Sequence, residues 1–408
     1  MRPHIFVVAG EDSGDRLGAA LIAAIRRRAH DVQFSGIGGP HMATLGVHSL
    51  FPLGDLAVIG FASIPASLPK IFRRIRESAD AVISARPDVL VIIDSPEFTH
   101  RVARQVRKRS PEIPIVDYVC PSVWAWRPGR ARKMRKFVDY VLALLPFEPN
   151  TMKELGGPPC SFVGHPLAER VQDLRPNDLE ARLRQTDPPL LLVLPGSRSA
   201  EIRRMAPVFG EAVTRIAENY GPIETVVPAV PRLAQMVRTA VASWRVPARV
   251  VSEIQEKHEA FRTARAALTK SGTSTLELAL AGIPMVAAYR VPLIEEMAAR
   301  LLVNVPSVIL ANLVLGENVV PEFLQRECTA TRLAKAVLPL LGDTPERRRQ
   351  SAAFARLDAV MEIGTASPSD RAAEVVLDAM SGNKTPLHHK NSCVGLRRGL
   401  PGHSDQRI

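Results

Sequence analysis

The chain has 408 residues, 46% of them hydrophobic and 23% charged, with a formal net charge of +12. That length and apolar content exclude a disordered chain and a single ordinary core, so two domains are expected. No window holds the roughly 18 uninterrupted apolar residues of a spanning helix. The opening MRPHIFVVAGEDSGD also reaches acidic residues too early for a signal peptide, so a cytoplasmic location is expected.

Charge is unevenly spread: residues 1–150 contribute +7, from 21 basic and 14 acidic side chains, and 381–408 contribute +4. An anionic partner is implied, whether substrate phosphate, a bilayer surface or nucleic acid. Cys120, Cys160, Cys328 and Cys393 form no C-x-x-C pair, which favours reduced structural thiols over a zinc ribbon or a disulfide framework.

In chain order, β-branched runs alternate with helical patterns: HIFVVA then 14–29, DVLVIID then 97–109, IPIVDYV then 127–137, and DYVLALL. Strands apolar on both faces and separated by helices predict a parallel sheet covered on both sides. The cadence restarts after Pro188 with PLLLVLPG, IETVVPA, ARVVS, AALTKSG and IPMVAAY. The polar, proline-containing stretch 165–189 reads as the interdomain connection. Beyond 330 only helical patterns follow (330–341, 344–361, 368–380), and the last segment lacks the apolar content to fold.

Chemistry gathers at the ends of the predicted strands. The first strand runs into Gly10-Glu11-Asp12-Ser13-Gly14-Asp15, a turn opening a helix with Asp12 or Ser13 as a possible N-cap. Asp94 ends DVLVIID, where a partly buried carboxylate suits a general base; capping the helix after Pro96 is its other reading. In the second half, Ser197 and Arg198 of LPGSR and Ser271, Gly272, Thr273 and Ser274 of KSGTS stand at helix N-termini suited to a diphosphate. Glu277, one turn on, can take both hydroxyls of a ribose.

The stretch 60–76 sets apolar residues at helical spacing among cations, which fits either a core-facing helix or one lying in a headgroup layer. The PSVWAW cluster leads into six basic residues between Arg127 and Lys136, but one isolated aromatic cluster argues against nucleic acid. No P-loop, G-x-S-x-G, H-E-x-x-H or D-x-D occurs, leaving metal-independent chemistry on a nucleotide-linked substrate, with no metal and no cofactor expected.

Together AGEDSGD, GIGGPHMATLG, IDSPEF, CPSVWAWRPGR, FVGHPLAE, LPGSRSAEI, KSGTSTLELALAGIPMVAAYR and ILANLVLGENVVPEFLQREC resemble the lipid-A-disaccharide synthases over nearly the whole chain. The resemblance implies an α/β protein with two Rossmann-like domains facing across a cleft (GT-B) and C-terminal helices. It implies inverting transfer from UDP-2,3-diacylglucosamine to the 6-hydroxyl of 2,3-diacylglucosamine 1-phosphate (lipid X). Asp94 matches the family's general base, Asn312 a required asparagine, and Glu11 and Ser13 the acceptor-side turn, Glu11 being read as catalytic. Arg198, the 271–277 turn and Arg290 match the UDP-binding elements. Glu97-Phe98-Thr99 departs from an aspartate and asparagine common in the family.

The expected domains are 1–166 on the acceptor side, 167–345 for the UDP-sugar, 346–380 as helices packing back on an N-terminal domain, the partner's in the swapped homodimer that the resemblance implies, and 381–408 as a disordered tail. Because the implied substrates are lipids, the 60–76 stripe reads as membrane contact through Ile64, Leu68, Ile71, Phe72, Arg73, Arg74 and Ile75, giving peripheral association with the inner membrane. The rival readings are a UDP-N-acetylglucosamine 2-epimerase, a lipid-linked glucosaminyltransferase, or a non-catalytic polyanion-binding protein.

Overall fold

A computed structural model describes residues 2–56, 64–292, 296 and 305–382, without the side chains of 64–68. Part of the 60–76 stripe, including the Ile64 and Leu68 side chains, and the tail from 383 therefore lie outside the described residues.

The chain divides into two compact units. The first comprises Met1–Glu169 and the stretch from Met361, and the second Arg170–Arg300 with Val305–Val360. The first holds strands β1 (His4–Ala9), β2 (Gln33–Ile37), β3 (Val89–Ile93), β4 (Ile115–Tyr118), β5 (Tyr140–Ala143) and β6 (Cys160–Phe162). They form one sheet in the order β2-β1-β3-β4-β5-β6, and every pairing is parallel.

Both faces of this sheet are buried, which is why its strands read as continuous apolar runs. Along β1, Ile5, Val7 and Ala9 join a core with Leu21, Ile22 and Ile25 of helix Asp12–Arg28. Phe6 and Val8 join the opposite core with Ile75, Ala79 and Val82 of helix Ile64–Ala85 and with Val102 and Val106 of helix Thr99–Arg109. The first of these cores also takes Ala372, Ala373 and Val376 from helix Pro368–Met380. Arg27 and Arg28 pair with Asp370 and Glu374 of that helix at 2.9 and 2.8 Å.

The C-terminal helices do not stay together, as the expected 346–380 segment required. Pro368–Met380 covers the first sheet, whereas Pro345–Phe354 and Leu357–Val360 belong to the second unit. There Gln350 donates to Met285 O at 3.0 Å and accepts from Met285 N at 2.8 Å, fastening its helix to a strand end.

The second unit contains β7 (Leu190–Leu194), β8 (Glu224–Pro228), β9 (Arg249–Val251), β10 (Ala266–Lys270), β11 (Met285–Tyr289) and β12 (Glu322–Leu324). Their order is β12-β11-β10-β7-β8-β9, again all parallel. Strand order reverses between β1 and β3 in the first sheet and between β7 and β10 in the second. At such switch points neighbouring crossovers leave in opposite directions and open a crevice at the strands' carboxyl ends. Among the described residues no helix is long and apolar enough to cross a membrane.

Candidate functional site

The turns after β1 and β3 meet at the first switch point. Gly10 is required there because a Cβ on it would lie 2.3 Å from Ser95 Cβ. Asp94 and Ser95 have positive φ, 56° and 45°, a conformation that costs non-glycine residues about 1 kcal/mol or more and here turns the Asp94 side chain back over its own turn. Its Oδ1 accepts from Ser95 N at 2.7 Å and its Oδ2 from Ser13 Oγ at 3.0 Å. Ser95 Oγ in turn donates to Glu11 Oε1 at 2.9 Å. Glu11, Ser13, Asp94 and Ser95 thus form one half-exposed network.

Three details differ from the sequence reading. Glu11, not Asp12 or Ser13, is the first helix's N-cap residue, and no side chain caps it. Asp94 does not cap the next helix with its carboxylate; Thr99 Oγ1 instead donates to Asp94 O at 2.7 Å. Asp15 takes a role that the sequence reading missed. Buried to 1% exposure, it accepts from Gly39 N, Met42 N and His41 N at 2.7, 3.0 and 2.9 Å, fixing the GIGGPHM turn beside the site. Three backbone donors on one carboxylate are the signal, and the sequence spacing does not display them.

Of the departing residues, Thr99 is buried on Asp94 O, Phe98 is a core side chain, and Glu97 pairs with Arg130. Burial alone would raise the Glu97 carboxyl, but the Arg130 guanidinium holds it below the usual range. Beneath Asp94, Asp117 on β4 and His100 form a buried pair at 2.8 Å, with His100 Nδ1 left without a partner. Burial pushes the Asp117 carboxyl up against the pull of His100, and the Asp94 carboxylate adds to the rise.

Trp124 is structural rather than a stacking platform: its Nε1 donates to Glu148 Oε1 at 3.0 Å. Glu148 Oε2 accepts from Leu144 N and Leu145 N at 3.1 and 2.9 Å. Trp126 is covered by Arg127 and Arg130, at 4.5 and 5.7 Å from its ring.

At the second unit's switch point, the β7 turn is organised by Glu201, which the sequence reading gave no role. Its carboxylate accepts from Ser197 N at 3.0 Å and Arg198 Nη1 at 3.2 Å, and pairs with Lys270 Nζ at 3.0 Å. Gly196, at φ 134°, leaves room for it, since a Cβ there would meet Glu201 Cβ at 2.6 Å. Burial would raise the Glu201 carboxyl, yet Lys270 brings it below its usual range. Arg198 remains 76% exposed and Lys270 lies over the Tyr289 ring at 4.6 Å.

After β10, Ser271 Oγ donates to Val308 O at 2.9 Å. Thr275 Oγ1 donates to Gly272 O at 2.8 Å, and Thr273 and Ser274 open helix Ser274–Leu280. Glu277 is paired with Lys257 at 2.8 Å, a second cation the sequence reading overlooked.

Asn312 is buried to 2% exposure, its amide spent on backbone and on the side chains of Ser307 and Glu322. Its Oδ1 accepts from Val319 N and Val320 N at 3.0 and 2.9 Å, and its Nδ2 donates to Val320 O at 2.9 Å. Arg290 likewise spends a donor on Cys328 O.

Within the expected membrane stripe, Ile75 is 1% exposed and Ile71 packs on the same core, so both face inward. Arg74 is held by Asp55 and by Glu77 and lies over Phe51 at 4.5 Å. Among the described residues of that contact set, Phe72, 53% exposed, and Arg73, 63% exposed, face solvent, because a helix packed on a sheet turns one stripe inward. Among the described residues no group of three or more His, Cys, Asp or Glu side chains could hold a metal ion.

Two Rossmann-like parallel sheets, each with its polar turns at a switch point, put the chain in the GT-B class. MurG from Acinetobacter baumannii shares the fold at a TM-score of 0.55 and 13% identity, over 92% of this chain and 99% of that one. A UDP-GlcNAc 2-epimerase from Neisseria meningitidis does so at 0.60 and 12%, over 92% and 100%. A profile of the lipid-A-disaccharide synthetase family matches residues 5–376. The chain is 57% identical over 384 residues to a lipid-A-disaccharide synthase from Nitrobacter hamburgensis, covering 94% of this chain and 97% of that one. It is 43% identical over 386 residues to one from Rhodospirillum centenum, covering 92% and 94%. The chain belongs to the lipid-A-disaccharide synthetase family.

Proposed function

We propose that the chain transfers the acylated glucosamine of UDP-2,3-diacylglucosamine to the 6-hydroxyl of 2,3-diacylglucosamine 1-phosphate. The anomeric carbon–oxygen bond to UDP breaks as the new bond forms from the opposite face, giving a β-linked disaccharide and UDP. The reading is carried by family membership across residues 5–376.

The chemistry divides between the units. In the first, Asp94 takes the proton of the 6-hydroxyl as it attacks, and Ser13 and the Ser95 amide hold the carboxylate in one orientation. Glu11 acts through Ser95, which it holds by its hydroxyl. In the second, the departing diphosphate is met by Arg198 and by the turns Gly196–Ser197 and Ser271–Ser274, whose helix-end dipoles favour negative charge. Glu201 gathers Arg198 and Lys270 before the diphosphate arrives. Glu277 accepts from the ribose hydroxyls once Lys257 yields, and Arg290 borders the same strand ends. Both substrates carry acyl chains, which favours a place at the cytoplasmic surface of the inner membrane, with Phe72 and Arg73 turned toward the bilayer.

The test is to incubate the protein with both substrates and look for the disaccharide by mass spectrometry. Absence of product, together with epimerisation of UDP-N-acetylglucosamine, would replace this reading with the epimerase one.

A further inference from the structure

Residues 101–136 carry eleven Lys and Arg against two acidic side chains. Helix Thr99–Arg109 contributes Arg104, Arg107 and Lys108, and the end of helix Gly129–Met134 contributes Lys133 and the following Lys136, to one depression of about 540 Å3 beside Phe137. Arg104 lies over the buried Phe137 ring at 4.6 Å. Arg107 pairs with Asp139, which is 53% exposed. The Arg104 guanidinium is held below its usual range by burial and by Arg130 and Arg101. Five cations crowded around one concavity repel one another, and an anion entering it converts that repulsion into attraction.

The depression adjoins the exposed part of helix Ile64–Ala85. Arg101, one turn before Arg104, lies over the Phe72 ring at 5.5 Å, and Arg101, Arg104 and Lys108 follow one another on a single stripe of their helix. An exposed aromatic side chain thus stands next to a cationic hollow large enough for one phosphorylated headgroup.

We propose that this depression binds the phosphate of an anionic lipid headgroup at the bilayer surface. The proposal rests on the peripheral-membrane reading given above. A single-stranded nucleic acid fits less well, because it needs exposed aromatic platforms, whereas Phe137 is buried beneath Arg104 and Trp126 is covered by two arginines.

The test is co-sedimentation of the full chain with phosphatidylcholine vesicles, with and without phosphatidylglycerol. Three proteins are compared with the unmodified one: Arg104→Ser/Lys108→Ser/Lys133→Ser, Phe72→Ser, and the charge-matched control Lys335→Ser/Arg348→Ser/Arg349→Ser. The first variant should lose the gain in binding that phosphatidylglycerol brings, about tenfold or more. It should keep its phosphatidylcholine binding and its turnover on detergent-dispersed substrate, while the control keeps everything.

Phe72→Ser should weaken binding to both vesicle types. If Phe72→Ser binds normally while the triple variant loses the phosphatidylglycerol gain, the docking of Phe72 fails and the headgroup site stands. The site is overturned if the triple variant keeps the full gain. It is equally overturned if the triple variant loses binding to single-stranded RNA alone.

Discussion

Gly10 and Ser95 press together so closely that a Cβ on Gly10 would lie 2.3 Å from Ser95 Cβ and 2.7 Å from its hydroxyl oxygen. This contact brings the β1 and β3 turns into one network and lets Ser95 reach Glu11. Gly10→Ala must therefore push Ser95, already at φ 45°, and with it Asp94. Overpacking of this kind costs about 1–3 kcal/mol. We expect a lowered melting temperature and at least a tenfold loss of turnover, with UDP affinity unchanged because the UDP elements belong to the other unit. Calorimetry and steady-state kinetics check this, and unchanged turnover would mean the two turns can part without consequence.

Asp94→Asn removes a proton acceptor and leaves every diphosphate contact in place. Turnover should fall by about 10²–10⁴-fold, the range for loss of a general base. UDP binding, followed by titration calorimetry, should hardly change. Ser13→Ala takes away only the 3.0 Å hydrogen bond to Oδ2 and should cost far less. If Asp94→Asn kept near-normal turnover, the base would have to be sought elsewhere in the network, with Glu11 first.

The two sheets were legible because their central strands are buried on both faces and so read as unbroken apolar runs. The strands that sequence reasoning passed over, Gln33–Ile37, Cys160–Phe162 and Glu322–Leu324, are short and lie at sheet edges, where pairing on one side leaves the pattern mixed. The site turns were legible as glycine and hydroxyl residues after strands. What organises them was not: Asp15 and Lys257 act on partners 20 or more residues away, and Glu201 joins its own turn to Lys270, 69 residues on, links that leave no local spacing. The 60–76 stripe misled in part because a heptad-like pattern does not say which side the sheet takes; Ile75 went to the core and Phe72 to solvent.

Burial pushes the Glu148 carboxyl up to about 7, although the Leu145 and Leu144 amides and the Trp124 indole all donate to it and oppose the rise. A carboxyl whose folded pKa exceeds its unfolded value binds its proton more tightly in the native state. Stability should therefore fall as pH rises from about 4.5 to about 7, and this contribution should be flat above that window. Glu148→Gln removes the titration. Melting temperatures of the two proteins between those pH values should converge or cross as pH rises, because only the unmodified chain pays for ionising a buried group. Parallel curves would place the titration outside this window.

Asn312 satisfies two backbone amides and one carbonyl of the segment after its helix. Asn312→Ala leaves them buried and unpaired at about 1–3 kcal/mol each, before any relaxation. We expect a clear drop in melting temperature accompanying any fall in turnover. Asn312→Asp restores the acceptor for Val319 N and Val320 N but sets a second carboxylate near Glu322, whose Oε1 lies 3.3 Å from Asn312 Nδ2, so it should rescue little. A large loss of turnover at unchanged melting temperature would instead make Asn312 a group that meets the substrate.

Glu277 stands one turn into its helix, 19% exposed and held by Lys257 at 2.8 Å. That pairing holds the carboxylate in a fixed direction until ribose hydroxyls replace the ammonium as donors. Glu277→Gln retains the size but loses the charge-assisted hydrogen bonds, which are about twice as strong as neutral ones. UDP affinity should fall about tenfold, and the preference for UDP over 2′-deoxy-UDP should shrink with it. Lys257→Ala should have a smaller effect on affinity, since it removes the resting partner and not the ligand contact. Titration calorimetry with the two nucleotides separates these cases: a preference for UDP that survives in Glu277→Gln would assign the ribose to another acceptor.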